Sequence, residues 1–252
     1  DLAITNLRKN SALKAEKKSS RTAAEGKILS KVDSSRNIAI ILEINCETDF
    51  VAKDQNFIDF CQETLDYCLE NPDLSLETLL ENYLEEKRQN LIQKIGENIV
   101  IRRKEIINSE FIYSYVHGNN KIGSILSISN ENDPIGNDIA MHVAASAPLV
   151  VSSEDLDEEL INKEEEIILA QVADSNKPQE ILEKMVSGRL EKFKSEVSLL
   201  SQPFVKDPSQ KIQKLLSENS TQVLEFFRYE LGEGIEVKKM DFAEEVKSQL
   251  ES

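Results

Sequence analysis

The sequence predicts an α+β fold, with two related α/β core units that carry small antiparallel sheets. Two observations support this prediction: apolar β-branched runs alternate with stretches of helical spacing, and one strand-to-helix motif occurs twice. A third observation is a pair of long helical stretches over 154–200, which predicts an inserted antiparallel helical hairpin. Helical segments are expected at both ends of the chain.

The N-terminal segment, residues 1–30, is predicted to be a helix followed by a linker. It is crowded with basic residues, although the chain as a whole is acidic. These basic residues, with one just beyond the segment, are Arg8, Lys9, Lys14, Lys17, Lys18, Arg21, Lys27 and Lys31. Because no aromatic residues lie between them, a solvated helix and linker is the first interpretation. Contact with an acidic patch on a protein partner is the second.

The first core unit is predicted to span residues 31–117. A dense β-branched run over 37–44 is typical of a buried strand. Apolar residues then keep helical spacing, and Gly96 ends the last of these helices. The helical stretches are expected over 57–69 and 76–95, and later strands over 98–107, 111–116 and 121–128. The sequence His117-Gly118-Asn119-Asn120 predicts a hairpin turn between the last two strands.

The second core unit is predicted from two pieces, 118–153 and 201–236. It contains the repeat: Leu42–Phe50 aligns with Leu126–Pro134. Both copies run from an apolar strand through an acidic turn into a helix. A strand-like stretch over 222–228 follows later in the same unit.

The hairpin over 154–200 separates these two pieces. Pro178 fits the first turn of its second helix. Gly188, inside that helix, costs roughly 1 kcal/mol against Ala, and we expect it to allow close approach of the facing helix. The C-terminal module, 237–252, contains a short amphipathic stretch over 240–250 that is expected to fold back or dock on a partner.

Composition limits the classes of function. The formal net charge is −16, so we expect no direct binding to nucleic acid, whose phosphates require Lys and Arg. The sequence has no apolar run of 18 residues and no signal-peptide pattern, so we expect no membrane span. The three cysteines, Cys46, Cys61 and Cys68, are predicted to be buried reduced thiols, which fits a cytoplasmic protein.

The motifs of several chemistries are missing. No glycine-rich phosphate-binding loop is present, so we expect no bound nucleotide or other cofactor. The two histidines, His117 and His142, have no metal-ligand spacing, so no metal site is predicted. His142 is interpreted as a hydrogen-bonded structural residue. We identify no catalytic residues and predict that the protein is not an enzyme.

The turn after the first apolar strand is the strongest candidate for a functional site. Asp49 and Phe50 lie at a strand-to-helix junction, where a large aromatic residue is hard to bury. An exposed aromatic residue beside a carboxylate is typical of a contact with another protein. The alternative is that Phe50 covers the end of its own helix. The repeat favours exposure, because the second copy carries Pro134 at the equivalent position.

The motifs in this order resemble translation elongation factor Ts, the nucleotide-exchange factor of elongation factor Tu. The resemblance covers essentially the whole chain. The motifs are Ala23-Ala24-Glu25-Gly26-Lys27, Asn45-Cys46-Glu47-Thr48-Asp49-Phe50-Val51-Ala52-Lys53, Lys94-Ile95-Gly96-Glu97-Asn98-Ile99, Ile139-Ala140-Met141-His142-Val143-Ala144-Ala145-Ser146, Gln202-Pro203-Phe204-Val205-Lys206 and Gly232-Glu233-Gly234-Ile235-Glu236. The family's usual N-terminal three-helix domain has a Thr-Gly-Ala-Gly-Met-type motif that is absent here, so we expect most of that domain to be missing.

The resemblance implies a binding site for elongation factor Tu. It implies that Thr48, Asp49, Phe50 and Val51 enter the G domain near its Mg²⁺ site, with Phe50 in an apolar pocket, and promote release of GDP. Further contacts are implied for Ile95, Gly96 and His117. From the residues alone, these three would be a core residue, a helix C-cap and a solvated turn residue. The second core unit and the C-terminal helix are implied to bind elsewhere on the partner.

Two other hypotheses remain at this stage. The chain could be a non-catalytic scaffold protein that assembles through its helical arm, and a homodimer through the hairpin is a related expectation. An enzyme of an unrecognised kind would need perturbed carboxylates in a deep pocket. A cytoplasmic location is expected, and an organellar form is compatible with the same residues.

Overall fold

The computed structural model describes residues 13–172 and 178–236. The mixed α+β class is confirmed: two three-stranded antiparallel sheets lie face to face, and helices cover their outer faces. The apolar side chains between the sheets come from both, and they are Ile28, Ala39, Ile41, Ile107, Ile125 and Tyr229. The predicted C-terminal amphipathic stretch over 240–250 and residues 1–12 lie outside the described residues.

The first sheet has the order β1-β2-β3. These strands are β1 (Glu25–Asp33), β2 (Ile38–Cys46) and β3 (Val100–Asn108). The central strand, β2, is buried along its whole length, as its β-branched composition predicts. Residues 25–30, which the sequence assigns to a linker, instead form the first part of β1. The edge position explains this difference, because an edge strand keeps polar residues on its exposed side and lacks an apolar run.

Helices cover the outer face of the first sheet. Helix α1 (Gln55–Glu70) begins at Asp54, whose side chain accepts a hydrogen bond from the Asn56 amide at 2.8 Å. A second helical segment follows, and it has one irregularity that its apolar spacing does not predict. It consists of α2 (Leu76–Leu79), a π-helical turn (Leu80–Leu84) and α3 (Glu85–Ile95). Side chains from these helices and from β2 form the largest apolar cluster.

The second sheet has the order β4-β5-β8 and the same arrangement. Its strands are β4 (Ile112–Val116), β5 (Ile122–Ile128) and β8 (Val223–Glu230), and its outer face is covered by α4 (Asp133–Ser146) and by α7 (Ile212–Glu218). A two-stranded ribbon, β6 (Pro203–Phe204) and β7 (Asp207–Lys211), lies between the hairpin and α7 in the sequence. The predicted turn from His117 to Asn120 joins β4 and β5.

The register supports the predicted internal repeat. In the first sheet, the pairing of β2 with β3 shifts between Glu43 and Ile44. In the second, the pairing of β5 with β8 shifts between Ser127 and Ile128. The alignment read from the sequence places these two pairs at equivalent positions. The two sheets therefore share a strand order, a helix after the central strand, and an equivalent β-bulge.

The helical hairpin is also observed. Its helices are α5 (Glu158–Val172) and α6 (Gln179–Val197), with Pro178 immediately before the second. They contact each other through a small apolar cluster centred on Ile168, Val172 and Val186. Gly188 does not serve the close approach predicted for it, because a Cβ atom built there would meet nothing within 4 Å.

Candidate functional site

The Phe50 turn, defined here as residues 48–53, follows the buried strand β2. Phe50 is 80% exposed, although β2 before it and Ala52 just beyond it are buried. A short 3₁₀ helix, Val51–Lys53, begins directly after it. The exposure that the repeat predicts for Phe50 is confirmed. A large ring in this position is available for contact with another molecule.

The backbone of this turn is held by internal hydrogen bonds. The Thr48 carbonyl accepts from the Ala52 amide at 3.2 Å and from the Cys46 thiol at 3.2 Å. The Phe50 carbonyl accepts from the Lys53 amide at 3.1 Å. The Val51 amide donates to the Thr48 hydroxyl at 3.3 Å. Phe50 therefore projects from a turn in which most of the surrounding backbone groups are paired.

A carboxylate from a distant part of the sequence also holds the turn. Glu97 Oε2 accepts from the amides of Glu47 at 3.1 Å and Thr48 at 3.0 Å, and Glu97 Oε1 accepts from the Thr48 hydroxyl at 2.7 Å. In return, Glu47 Oε1 accepts from the Asn98 amide at 2.6 Å. The Thr48 side chain, predicted to contact a partner, is thus turned toward its own chain.

The residues on either side of Glu97 belong to the end of α3. Gly96 is the C-cap in the left-handed conformation, with φ 92°, and its amide donates to the Ile92 carbonyl at 2.9 Å. Ile95 is half-buried against the first apolar cluster. Both positions match the structural roles read from the residues alone. The Lys94–Asn98 segment nevertheless lies beside the Phe50 turn, because Glu97 joins the two.

The N-terminal segment attaches to the same place. Residues 13–18 are helical, and the Lys18 ammonium donates to the Gly96 carbonyl. The Asn98 side chain donates to the Arg21 carbonyl at 2.8 Å. The Arg21 guanidinium lies 3.7 Å from the Glu47 carboxylate. Some of the basic residues read as solvated from the sequence therefore contact the turns around the candidate site.

The His117 turn lies near the Phe50 turn. Lys121, at the end of the His117 turn, forms an ion pair with Glu25 at 2.9 Å, and Glu25 pairs in the sheet with Cys46. The pKa of the exposed Asp49 carboxyl is lowered, first by its hydrogen bond from Lys53 at 2.7 Å and in part by the positive charge of Lys121. The structure thus brings the Phe50 turn together with Ile95 and Gly96, and Lys121 links the His117 turn to the neighbouring strand β1.

An apolar concavity of about 320 Å³ lies beside His117. The His117 ring is exposed and its Nδ1 lies 3.0 Å from the Tyr115 hydroxyl. The other lining residues come from β5, α4 and the β6–β7 ribbon, and they are Ile122, Met141, Ala144, Ala145 and Val205. Sequence reasoning missed these residues as site candidates. The only signal was that four of them, Met141, Ala144, Ala145 and Val205, fall in motifs quoted for the family resemblance.

The remaining polar groups have structural environments. Burial raises the pKa of Cys46 to about 12 and the pKa of Cys68 to about 11, and burial also raises the pKa of Cys61. His142 is buried; its Nδ1 accepts from the Val205 amide at 3.2 Å, so its Nε2 donates to Gln202 at 2.9 Å. This confirms its predicted structural role.

Within residues 13–172 and 178–236, no group of three or more His, Cys, Asp or Glu residues could hold a metal ion. None of the helices in these ranges is long and apolar enough to cross a membrane.

An α+β fold that presents an exposed aromatic residue on a hydrogen-bonded turn, and a separate apolar concavity, fits a protein that acts by contact with another macromolecule. Comparison with known proteins identifies the family. The sequence profile described as "Elongation factor TS" matches residues 47–233. The chain is 46% identical over 248 residues to "Elongation factor Ts" of Hahella chejuensis, covering 98% of this chain and 87% of that protein.

Two further relatives agree. Identity is 48% over 246 residues with the protein from Marinobacter nauticus and 49% over 251 residues with that from Psychromonas ingrahamii. Each match covers 98% of this chain and 85% of the relative. The chain belongs to the elongation factor Ts family and is a translation elongation factor.

Proposed function

We propose that this chain is a guanine-nucleotide exchange factor that binds elongation factor Tu and promotes release of GDP during translation elongation. The observation that carries the proposal is the exposed ring of Phe50 on a turn with paired backbone groups. Family membership supports the choice of partner. Such a factor acts by binding and makes no covalent bond, so we propose that it is not an enzyme. A cytoplasmic location follows from the same proposal.

The mechanism rests on differential affinity. A factor accelerates nucleotide release if it binds the nucleotide-free partner more tightly than the GDP-bound one. By linkage, GDP then weakens the factor's binding as much as the factor weakens GDP binding. We propose that the Phe50 turn enters the G domain near the Mg²⁺ site, so that Mg²⁺ and the GDP phosphates are held less firmly. Burial of one Phe side chain supplies roughly 1.5–3 kcal/mol for this purpose.

The other predicted residues have separate parts in this proposal. Asp49 and Val51 flank Phe50 and contact the partner with it. Ile95 and Gly96 form a neighbouring contact beside the turn. His117 lies at the edge of the apolar concavity, which is suited to an apolar side chain of elongation factor Tu because Val205 and Ala145 are exposed there. The second sheet and the C-terminal module would contact the partner away from the nucleotide.

Replacement of Phe50 tests the proposal. Phe50→Ala should lower the acceleration of GDP release by about 10–100-fold, because each 1.4 kcal/mol of lost contact corresponds to a factor of ten. The measurement is the release rate of a fluorescent GDP analogue from elongation factor Tu at several concentrations of the chain. Ile181→Ala is the matched control, because Ile181 is also an exposed large apolar residue and lies on α6 of the hairpin, away from the proposed contacts. We expect the control to act like wild type.

The same experiment has a clear contradicting result. Full acceleration by Phe50→Ala would overturn the role of the ring. No acceleration by the wild-type chain would overturn the exchange function itself. Circular dichroism of Phe50→Ala should match wild type, since exposed positions usually change stability by less than about 0.5 kcal/mol.

A scaffold function is the second candidate, and the hairpin is the observation that favours it. Ile167, Leu169 and Ile181 of α5 and α6 are large apolar residues that remain exposed. A homodimer through the hairpin would cover such residues. Sedimentation at several protein concentrations tests this: Ile167→Glu with Leu169→Glu should abolish any concentration-dependent increase in mass. A mass that is independent of concentration in the wild-type chain would contradict it.

A further inference from the structure

Glu97 is the central acceptor between two segments that lie about fifty residues apart. Its two carboxylate oxygens accept three hydrogen bonds from Glu47 and Thr48, at 2.7–3.1 Å. The carboxylate of Glu47 accepts from the Asn98 amide, so each segment supplies an acceptor to the other. We call this reciprocal set, formed by Glu47, Thr48, Glu97 and Asn98, the carboxylate clasp.

The clasp acts directly at the base of the Phe50 turn. The Thr48 hydroxyl donates to Glu97 and also accepts from the Val51 amide. It therefore connects the carboxylate to the residue that follows Phe50. The two amides bound by Glu97 belong to the chain between β2 and the turn. Without Glu97, three donors at the base of the turn would lose their partner.

Charge also favours this arrangement over an accidental contact. The negative charge of Glu97 contributes, after burial, to the raised pKa of the Cys46 thiol, which places the carboxylate close to the end of β2. Hydrogen bonds to an ionised carboxylate are roughly twice as strong as neutral ones. Arg21, 3.7 Å from Glu47, and Lys18, bonded to the Gly96 carbonyl, supply positive charge nearby. The clasp therefore joins two acidic side chains without leaving them uncompensated.

We propose that Glu97 is a positioning residue, which holds the Phe50 turn in its binding geometry before any partner arrives. Thr48 then serves the turn from the inside, and Phe50 makes the contact. A turn that is already ordered loses less conformational entropy on binding than a flexible one. The consequence for exchange rests on the proposed function, whereas the ordering of the turn can be measured in the free chain.

The free chain is tested first. The amides of Glu47 and Thr48 should exchange hydrogen about tenfold faster in Glu97→Ala, because each loses its acceptor. Glu97→Gln keeps one acceptor oxygen and should show a smaller increase. Glu225→Gln removes the same charge from an exposed site on β8 and should leave the hydrogen exchange of the Glu47 and Thr48 amides unchanged. The sequence contains no Trp, so Phe50→Trp adds a single fluorescent reporter, whose anisotropy should fall when Glu97 is also replaced by Ala.

The acceleration of nucleotide exchange on elongation factor Tu is tested second, with a double-mutant cycle. Glu97→Ala should lower the acceleration of GDP release about tenfold in the wild-type chain and less than about twofold in the Phe50→Ala chain. A merely structural role would lower both by the same factor. Thr48→Val removes one of the three bonds to Glu97, together with the acceptor of the Val51 amide, and provides a second variant if Glu97→Ala does not fold.

The outcomes separate the two proposals. Unchanged amide exchange and anisotropy in Glu97→Ala would overturn the positioning role, whatever the activity. Equal effects of Glu97→Ala in both backgrounds would also overturn it. If the wild-type chain fails to accelerate GDP release, the proposed function is wrong. Amide hydrogen exchange and fluorescence anisotropy in the free chain then still decide whether Glu97 orders the turn.

Discussion

At the residue scale, Phe50 and Glu43 depart most clearly from the usual burial preferences among the residues discussed above. Phe50 leaves its ring in solvent, whereas the carboxylate of Glu43 is fully buried on β2. The alternation of β2 explains the second case. Ala39 and Ile41 face the second sheet, and Glu43 continues the same face to the end of the intersheet layer. Its charge is accepted there because four donors surround it.

The surroundings of Glu43 predict a large effect of its removal. Glu43 accepts from Arg102 at 2.9 Å, Arg103 at 2.6 Å, the Gly232 amide at 2.9 Å and Asn45 at 3.1 Å. Glu43→Ala should lower the free energy of unfolding by about 3 kcal/mol, since it leaves buried donors without their acceptor. The low end of the usual range applies because the arginine side chains remain 25% and 30% exposed. Urea unfolding measures it, and a loss below about 0.5 kcal/mol would contradict the role assigned to the cluster.

The same residue predicts a pH dependence of stability. Burial alone would raise the Glu43 pKa, but the hydrogen bonds from Gly232, Arg102 and Arg103 outweigh it and lower the pKa below its usual 4.5. A lowered folded-state pKa gives a stabilisation that is complete above pH 4.5 and is lost as pH falls through the folded-state value. Unfolding free energies measured below this pH should fall less steeply in Glu43→Gln than in wild type. Equal slopes would contradict this assignment.

At the element scale, helical and strand periodicity predicted most of the secondary structure. The helices α1, α5 and α6 were predicted because each buries a face of regular spacing, and the strands β2, β4 and β5 because of their β-branched and apolar composition. The first strand, β1, was assigned in part to a linker, since an edge strand with polar residues on one side lacks that signal. The π-helical turn Leu80–Leu84 was missed because the apolar spacing around it is still helical.

Replacing either of two helical glycines by alanine should change the stability of the protein, in opposite directions for the two positions. A Cβ at Gly136, in α4, would lie 2.3 Å from the Tyr113 ring, whereas a Cβ at Gly188, in α6, would meet nothing within 4 Å. Gly136→Ala should destabilise the protein by roughly 1–3 kcal/mol through overpacking. Gly188→Ala should stabilise its helix by up to about 1 kcal/mol, because Ala is the better helix former.

Thermal unfolding of the two variants compares the same change of residue in two environments. Circular dichroism at one protein concentration is sufficient, with wild type as reference. The midpoint temperature of unfolding should fall for Gly136→Ala and should rise or stay equal for Gly188→Ala. A lower midpoint temperature for both variants would contradict the open surroundings assigned to Gly188.

At the scale of the whole molecule, the candidate site was only partly predictable. Phe50 could be selected from its own turn and from Pro134 in the second copy of the repeat. Glu97 could not, because its partner segment lies about fifty residues away. The two segments meet because β2 pairs with β3, which sets Asn45 opposite Val100. Val205 and Met141 were missed for the same reason: the concavity they line is assembled from separate elements.

In the molecule as a whole, the residues that hold the candidate site in place are different from the residues that it exposes to solvent. The buried layer between the sheets and the carboxylate clasp hold the site, while Phe50 and the concavity beside His117 remain open. Under the proposed function, a partner would meet a turn that is already ordered, which is the condition under which a small apolar contact contributes most of its free energy.

The proposed difference in affinity for the two states of elongation factor Tu can be measured by calorimetric titration. The chain is titrated into elongation factor Tu that is either nucleotide-free or loaded with GDP. We expect tighter binding to the nucleotide-free form, and a ratio of the two affinities that shrinks by about 10–100-fold in Phe50→Ala. Equal affinity of the wild-type chain for both forms would contradict this expectation, because a factor that does not distinguish the two states cannot shift the partner between them.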